Sequence, residues 1–138
     1  MKGTYILVIN LHKNTEIQIG SLGYILFNSG YYFYVGSAMG TANSSTLVNR
    51  VKRHISLSNN KKLHWHIDYL LANINSSINR LYLIPSTERW ECPIANELMD
   101  ITDGYIKDFG SSDCNCISHL YYSKNSDCIE NKMTILIK

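Results

Sequence analysis

Between Gly30 and Gly36 the chain reads Tyr-Tyr-Phe-Tyr-Val. A run of aromatic and β-branched residues bounded by glycines favours an extended strand over a helix. The two-residue repeat of a strand sets Tyr32 and Tyr34 on one face and Tyr31, Phe33 and Val35 on the other. Two readings account for so many phenols against a glycine. They serve packing alone, or one phenol points into a site that a backbone must approach closely. The neighbouring sequence extends the β pattern. Thr4–Asn10 (TYILVIN) reads as a mostly buried strand, and Glu16–Gly20 (EIQIG) alternates polar and apolar residues. Gly20, Gly23 and Gly30, with Asn28 and Ser29, mark turns around Tyr24–Phe27. The first third is therefore expected to be antiparallel strands joined by short turns, the last of them ending at Gly36.

The pattern then changes. Leu47–Ile55 (LVNRVKRHI) has helical spacing, with Leu47, Val51 and Ile55 as its apolar stripe and Val48 beside it. Arg50 and His54, four apart, are neighbours on an adjoining face. His64–Ile74 (HWHIDYLLANI) reads as a thickly apolar helix carrying Trp65, Ile67, Tyr69, Leu70, Leu71 and Ile74. Ile78–Ile84 reads as a strand closed by Pro85. Glu91–Ile101 reads as a helix with Pro93 in its first turn, where a missing N–H costs nothing. Asp103-Gly104 turns the chain. Short strands are expected within Tyr105–Gly110, Cys116–Ser123 and Lys132–Ile137, with a loop over Ser123–Asn131. The implied class is α+β: one domain over residues 1–138, a small antiparallel or mixed sheet flanked by about three helices.

The chain's 138 residues, 45% hydrophobic and 17% charged, suffice for a core. No apolar run approaches the ~20 residues of a membrane helix, and the N-terminal run has no cleavage pattern. With no export signal, reduced cysteines and a cytoplasmic setting are the expectation for Cys92, Cys114, Cys116 and Cys128. Charge is unevenly placed. Residues 17–67 hold no Asp or Glu, yet carry Arg50, Lys52, Arg53, Lys61 and Lys62. Residues 1–67 have seven basic groups against one acidic, net +6, and residues 68–138 six against ten, net −4. An acid-free basic half suits a polyanion; a solvated face accounts for it equally well.

Several blocks together carry a resemblance: Gly3-Thr4-Tyr5, Tyr34-Val35-Gly36, Arg50 with His54 four on, His64–Leu71, Glu91-Cys92 and Asp113–Leu120. In that order, across nearly the whole chain, they resemble the GIY-YIG nuclease superfamily, and more closely its Uri-type endonucleases, a group also known as DUF123. The resemblance implies a GIY-YIG-like sheet with an additional N-terminal hairpin and C-terminal strands. The hairpin would account for the thirty or so residues between the two signature triplets. It implies a metal-dependent endonuclease acting on DNA in preference to RNA. Tyr34 would be the general base, Tyr5 a hydrogen-bonding partner to water or phosphate, Arg50 a phosphate fork and His54 an orienting group. Glu91 would bind one Mg²⁺ or Mn²⁺, with Glu97 as the runner-up. Gly36, Ser37, Lys52, Arg53, Lys61 and Lys62 would face the nucleic acid. Ser37 stands where many members of the superfamily carry a cation. No targeting domain is apparent, so either such an enzyme cuts with low specificity or a protein partner directs it.

Chemistry agrees with those residue types. Phosphodiester hydrolysis needs an activated water, positive charge on the phosphoryl oxygens and help for the leaving oxygen. A phenol, normally near pKa 10, becomes a better base beside a guanidinium and a divalent cation. Plainer readings exist for each residue: strand aromatics, a strand-ending glycine, a helix N-terminal acid. A nucleic-acid-binding module without cleavage is one alternative. Another is an interaction domain stabilised by Zn²⁺ on Cys92, Cys114, Cys116 and His119, against which stand the tight C-x-C spacing and the distance to Cys92.

Overall fold

A computed structural model of the chain describes residues 1–56, 63, 65–111 and 116–125. The predicted strand over 132–137 lies outside the described residues. Strand β1 (Gly3–Leu11) leads into β2 (Thr15–Gln18) and β3 (Tyr24–Phe27), which pair only with each other, and then into β4 (Gly30–Ala38). Helices α1 (Leu47–Ile55) and α2 (His66–Leu71) follow, then β5 (Ser76–Pro85), α3 (Glu91–Ile101), β6 (Gly104–Tyr105) and β7 (Leu120–Ser123). The main sheet runs β5-β1-β4-β7-β6, and every pairing in it is antiparallel. The class is α+β, with a five-stranded sheet, a separate hairpin and three helices among the described residues. None of those helices is long and apolar enough to cross a membrane.

Central β1 explains why so few residues form two cores. Its odd positions, Tyr5, Leu7, Ile9 and Leu11, share a face with Tyr32 and Tyr34 of β4. Against that face pack Leu47 and Val51 of α1, Ile67 and Leu70 of α2, and Ile17 and Phe27 of the hairpin. Ile6 and Val8 share the opposite face with Phe33 and Val35, where Ile94, Ala95 and Leu98 of α3 cover them. The tyrosine strand thus divides its side chains as its two-residue period requires.

Several details differ from the sequence reading; the strand expected over Cys116–Ser123, for one, spans only Leu120–Ser123. Strand β4 does not end at Gly36 but continues through Ser37 to Ala38, because β1 goes on pairing with it down to Gly3. The buried stripe of α1 is Leu47, Val51 and His54, with Ile55 and Val48 exposed. Helix α2 ends at Leu71, and Ile74 is 93% exposed. Here Asn73 accepts from the Asn75 N–H at 2.9 Å, and Ser76 donates to the Leu70 carbonyl at 2.7 Å. Such side-chain bonds compete with helix continuation. Of the strand expected over Tyr105–Gly110 only Tyr105 lies in one, with Gly104 before it; Asp108 and Gly110 then take φ of 63° and 69°, which curls the chain.

Candidate functional site

The site grows from the pairing of β1 with β4. In that register Tyr5 lies opposite Gly36 and Leu7 opposite Tyr34. Tyr5 and Tyr34 are thereby diagonal neighbours on one face, their ring centroids 6.3 Å apart. The Tyr5 ring crosses the Gly36 backbone. A Cβ at position 36 would overlap Tyr5 Cζ and Oη and lie 2.8 Å from Cε2. So the glycine is needed, and the phenol that needs it belongs to the other strand. Tyr5 is buried, and its Oη shares a 2.7 Å hydrogen bond with His54 Nε2 from α1.

Helix α1 begins with Thr46, whose Oγ1 accepts from the Asn49 N–H at 3.3 Å. This sets Arg50 one turn in, where its guanidinium donates to the Ser37 carbonyl at 3.0 Å. Arg50 lies 4.8 Å from the centroid of the Trp65 ring, and Arg53 lies 4.3 Å from it. Arg53 also forks onto fully buried Asp68 at 2.8 and 2.9 Å, while Asp68 accepts from the Trp65 N–H at 2.9 Å. Trp65 is therefore fixed by its own backbone and by cations at its ring. Glu91 opens α3, and the Ile94 N–H closes that first turn onto the Trp90 carbonyl at 2.9 Å.

These elements enclose a cavity of about 470 Å³. Tyr5, Tyr34, Gly36, Ser37, Arg50 and Glu91 all line it. His54 does not; it sits behind Tyr5, 2% exposed. Lys52 is exposed on α1 and off the cavity, Arg53 is engaged with Asp68, and Glu97 is exposed farther along α3. Lys61 and Lys62 lie outside the described residues. The cavity also takes in Trp65, Arg89, Met39, Gly40, Gly110 and His119. Trp65 and His119 fall within the resembling blocks, His119 as a suggested zinc ligand, but the sequence places neither at this wall; Arg89, two residues before Glu91, Met39, Gly40 and Gly110 are not singled out by it at all.

Electrostatics favours neutral groups at the cavity floor. Burial pushes the Tyr34 phenol well above its ordinary pKa; Glu91 and Asp68 add to this and Arg50 opposes it. Tyr5 is raised likewise, by burial first, then by Tyr34, with Arg50 opposing. The depressed phenol expected beside Arg50 is thus not what the bare site provides, because desolvation outweighs one guanidinium. His119 is held below the usual imidazole range by burial, and Glu91 acts in the other direction.

The family model described as "Domain of unknown function DUF123" matches residues 4–138. The chain belongs to that family. No curated protein matches, and neither does any solved structure.

In this DUF123 chain the expectation of four reduced cysteines is corrected at two positions. Cys92 and Cys116 form a disulfide, their Cα atoms 5.7 Å apart, within bridging range. The start of α3 and the segment leading to His119 pack side by side, which brings the two sulfurs together. Cys114 and Cys128 lie outside the described residues. Of the four residues suggested for zinc, Cys92, Cys116 and His119 do converge, their ligand atoms within 4.8 Å of one another.

Proposed function

We propose that this chain is a metal-dependent endonuclease of the GIY-YIG, Uri type that hydrolyses phosphodiester bonds in DNA, in preference to RNA. One observation carries the reading. Two phenols, a guanidinium and a carboxylate, from β1, β4, α1 and α3, line one open cavity. Nothing in their sequence spacing requires that.

Arg50 fits a phosphate fork: it is already oriented by the Ser37 carbonyl and the Trp65 ring. Tyr34 Oη would take the proton from water. Among the described residues it has no side-chain hydrogen-bond partner, and it borders the cavity. Tyr5, pinned through Oη to His54, holds the floor beneath the reacting phosphate and fixes Gly36. His54 therefore acts through Tyr5 rather than on the substrate. Arg53 serves the Trp65–Asp68 arrangement, which leaves Lys52 as the outward basic residue of α1.

A hard divalent cation fits the one carboxylate on the wall, since Mg²⁺ and Mn²⁺ bind through one or two carboxylates and otherwise keep water. Glu91 would hold it, and the cation would offset charge on the leaving oxygen. Glu91 so engaged would raise the Tyr34 phenol less, while burial, the larger cause, would still hold it up.

The test is a cleavage screen with Mg²⁺ or Mn²⁺ against duplex, nicked, branched and single-stranded substrates. It compares wild type with Tyr34→Phe and Glu91→Ala. The expected result is metal-dependent cutting by wild type and a loss of about a hundredfold or more in each variant. Equal cutting by both variants excludes the assignment. Salt-sensitive binding without cutting under either ion would mark a binding module instead, the reading that Ser37 and the elevated Tyr34 phenol favour.

A further inference from the structure

Cys92, Cys116 and His119 are the one group of three such ligand residues among the described residues whose donor atoms come within metal-binding reach. Packed elements place each of them. Cys92 lies in the first turn of α3, a helix anchored by buried Ile94, Ala95 and Leu98. His119 is 4% exposed, and its backbone is bonded on both sides: its N–H donates to the Phe109 carbonyl and its carbonyl accepts from the Val35 N–H, each at 2.9 Å. Cys116 packs against the α3 core. The donors therefore need not be gathered from a flexible chain, which is the main cost of forming a metal site.

The geometry points to a second state of this cluster: with the Cys92–Cys116 bond reduced, Cys92, Cys116 and His119 bind one soft divalent cation, Zn²⁺ foremost. Two thiolates and an imidazole suit zinc and suit magnesium poorly, so the site differs in donor chemistry from Glu91. Thiolates on a tetrahedral zinc stand about 3.8 Å apart. Opening the disulfide to that spacing is a small displacement for side chains on fixed backbones. A water takes the fourth position.

The chemistry balances. A dithiol reductant gives two electrons and two protons and becomes a disulfide; Cys92 and Cys116 each gain one hydrogen. Zn²⁺ then displaces both thiol protons to solvent and forms two Zn–S bonds and one Zn–N bond. Reducing conditions thus create the site, and oxidation withdraws it. The proposal does not rest on the nuclease reading, and its readouts require no cleavage.

The experiment titrates Co²⁺ and then Zn²⁺ into the full chain, chelator-treated, with the disulfide intact or reduced. Sulfur-to-cobalt charge transfer and metal stoichiometry are read, and circular dichroism confirms that each variant is folded. The reduced chain is expected to bind one ion with thiolate charge transfer, and the oxidised chain at least ~100-fold more weakly, since thiolate ligands are withheld. Cys92→Ser should weaken the charge-transfer band, and His119→Gln should lower affinity while keeping it. The double variant Cys114→Ser, Cys128→Ser, which leaves all three ligands, should bind as wild type does. Absence of stoichiometric binding by the reduced chain overturns the proposal. So does equal binding by oxidised and reduced chains, unchanged binding in His119→Gln, or loss of binding in the double variant.

Discussion

Gly36→Ala should destabilise the protein although alanine ordinarily does better than glycine in a strand. At an unobstructed position the change would gain about 0.5–1 kcal/mol. Here the new methyl would lie inside Tyr5 Cζ and Oη and 2.8 Å from Cε2. Tyr5 cannot yield easily: it is 2% exposed, and its hydroxyl is held at 2.7 Å by His54. Overpacking costs about 1–3 kcal/mol, and a displaced Tyr5 gives up a hydrogen bond of about 1 kcal/mol, so the expected loss is about 2–4 kcal/mol. A chain of 138 residues has an unfolding entropy of about 0.3 kcal/mol/K, so the melting temperature should fall by about 7–14 °C. Thermal and urea unfolding followed by circular dichroism measure this. Repeating the substitution in a Tyr5→Leu background separates the cause. Without the ring across the backbone, the cost should shrink to below about 1 kcal/mol or reverse. A Gly36→Ala protein as stable as wild type, or an equal loss in both backgrounds, would refute the account of why this glycine is there.

Three other outcomes follow from the site. If Tyr34 is the base, its raised phenol makes cleavage climb about tenfold per pH unit through neutral and mildly alkaline pH; a rate already level at neutral pH removes Tyr34 from that role. Asp68→Asn leaves Arg53 beside a neutral group at a buried position and should cost about 3 kcal/mol, read as a shift in urea midpoint. His66 Nδ1 accepts from the Gly110 N–H at 2.9 Å, and burial holds its imidazole below the ordinary 6.5. The unfolded chain therefore takes up the proton first. Stability is full above that value and drains away as pH falls below it towards the folded imidazole's own pKa. Urea midpoints at about pH 7.5 and 5 should differ less in His66→Gln than in wild type.

Much of the frame was legible because a two-residue period has few interpretations. Tyr32 and Tyr34 face one core, and Phe33 and Val35 the other, as alternation alone requires. Helical periods are less decisive. From Leu47 and Val51 the stripe of α1 continues through either residue 54 or residue 55, and hydrophobicity selects Ile55. The protein buries His54 instead, because the Tyr5 hydroxyl beneath it requires a partner. Helix α2 looked longer than it is because Asn73 and Ser76 oppose the backbone with their own side chains, which an apolar count does not register. Short blocks mark Tyr5, Tyr34, Arg50 and Glu91, and the four line one cavity. Trp65, Arg89 and His119 reach the same wall only through tertiary packing, which no local spacing records.

The strand register has a consequence for how such a chain tolerates change in length. Both phenols depend on β1 and β4 meeting at one alignment, and a single inserted residue in either would swing Tyr5 or Tyr34 to the α3 side. The excursion from His12 to Ser29, with its self-paired hairpin, joins the same two strands outside that alignment. Growth or grafted sequence can accumulate at its exposed turn positions, such as Lys13 and Ser21, so long as Ile17, Ile19 and Phe27 keep their places in the core, whereas the nine-residue ladder between β1 and β4 admits none.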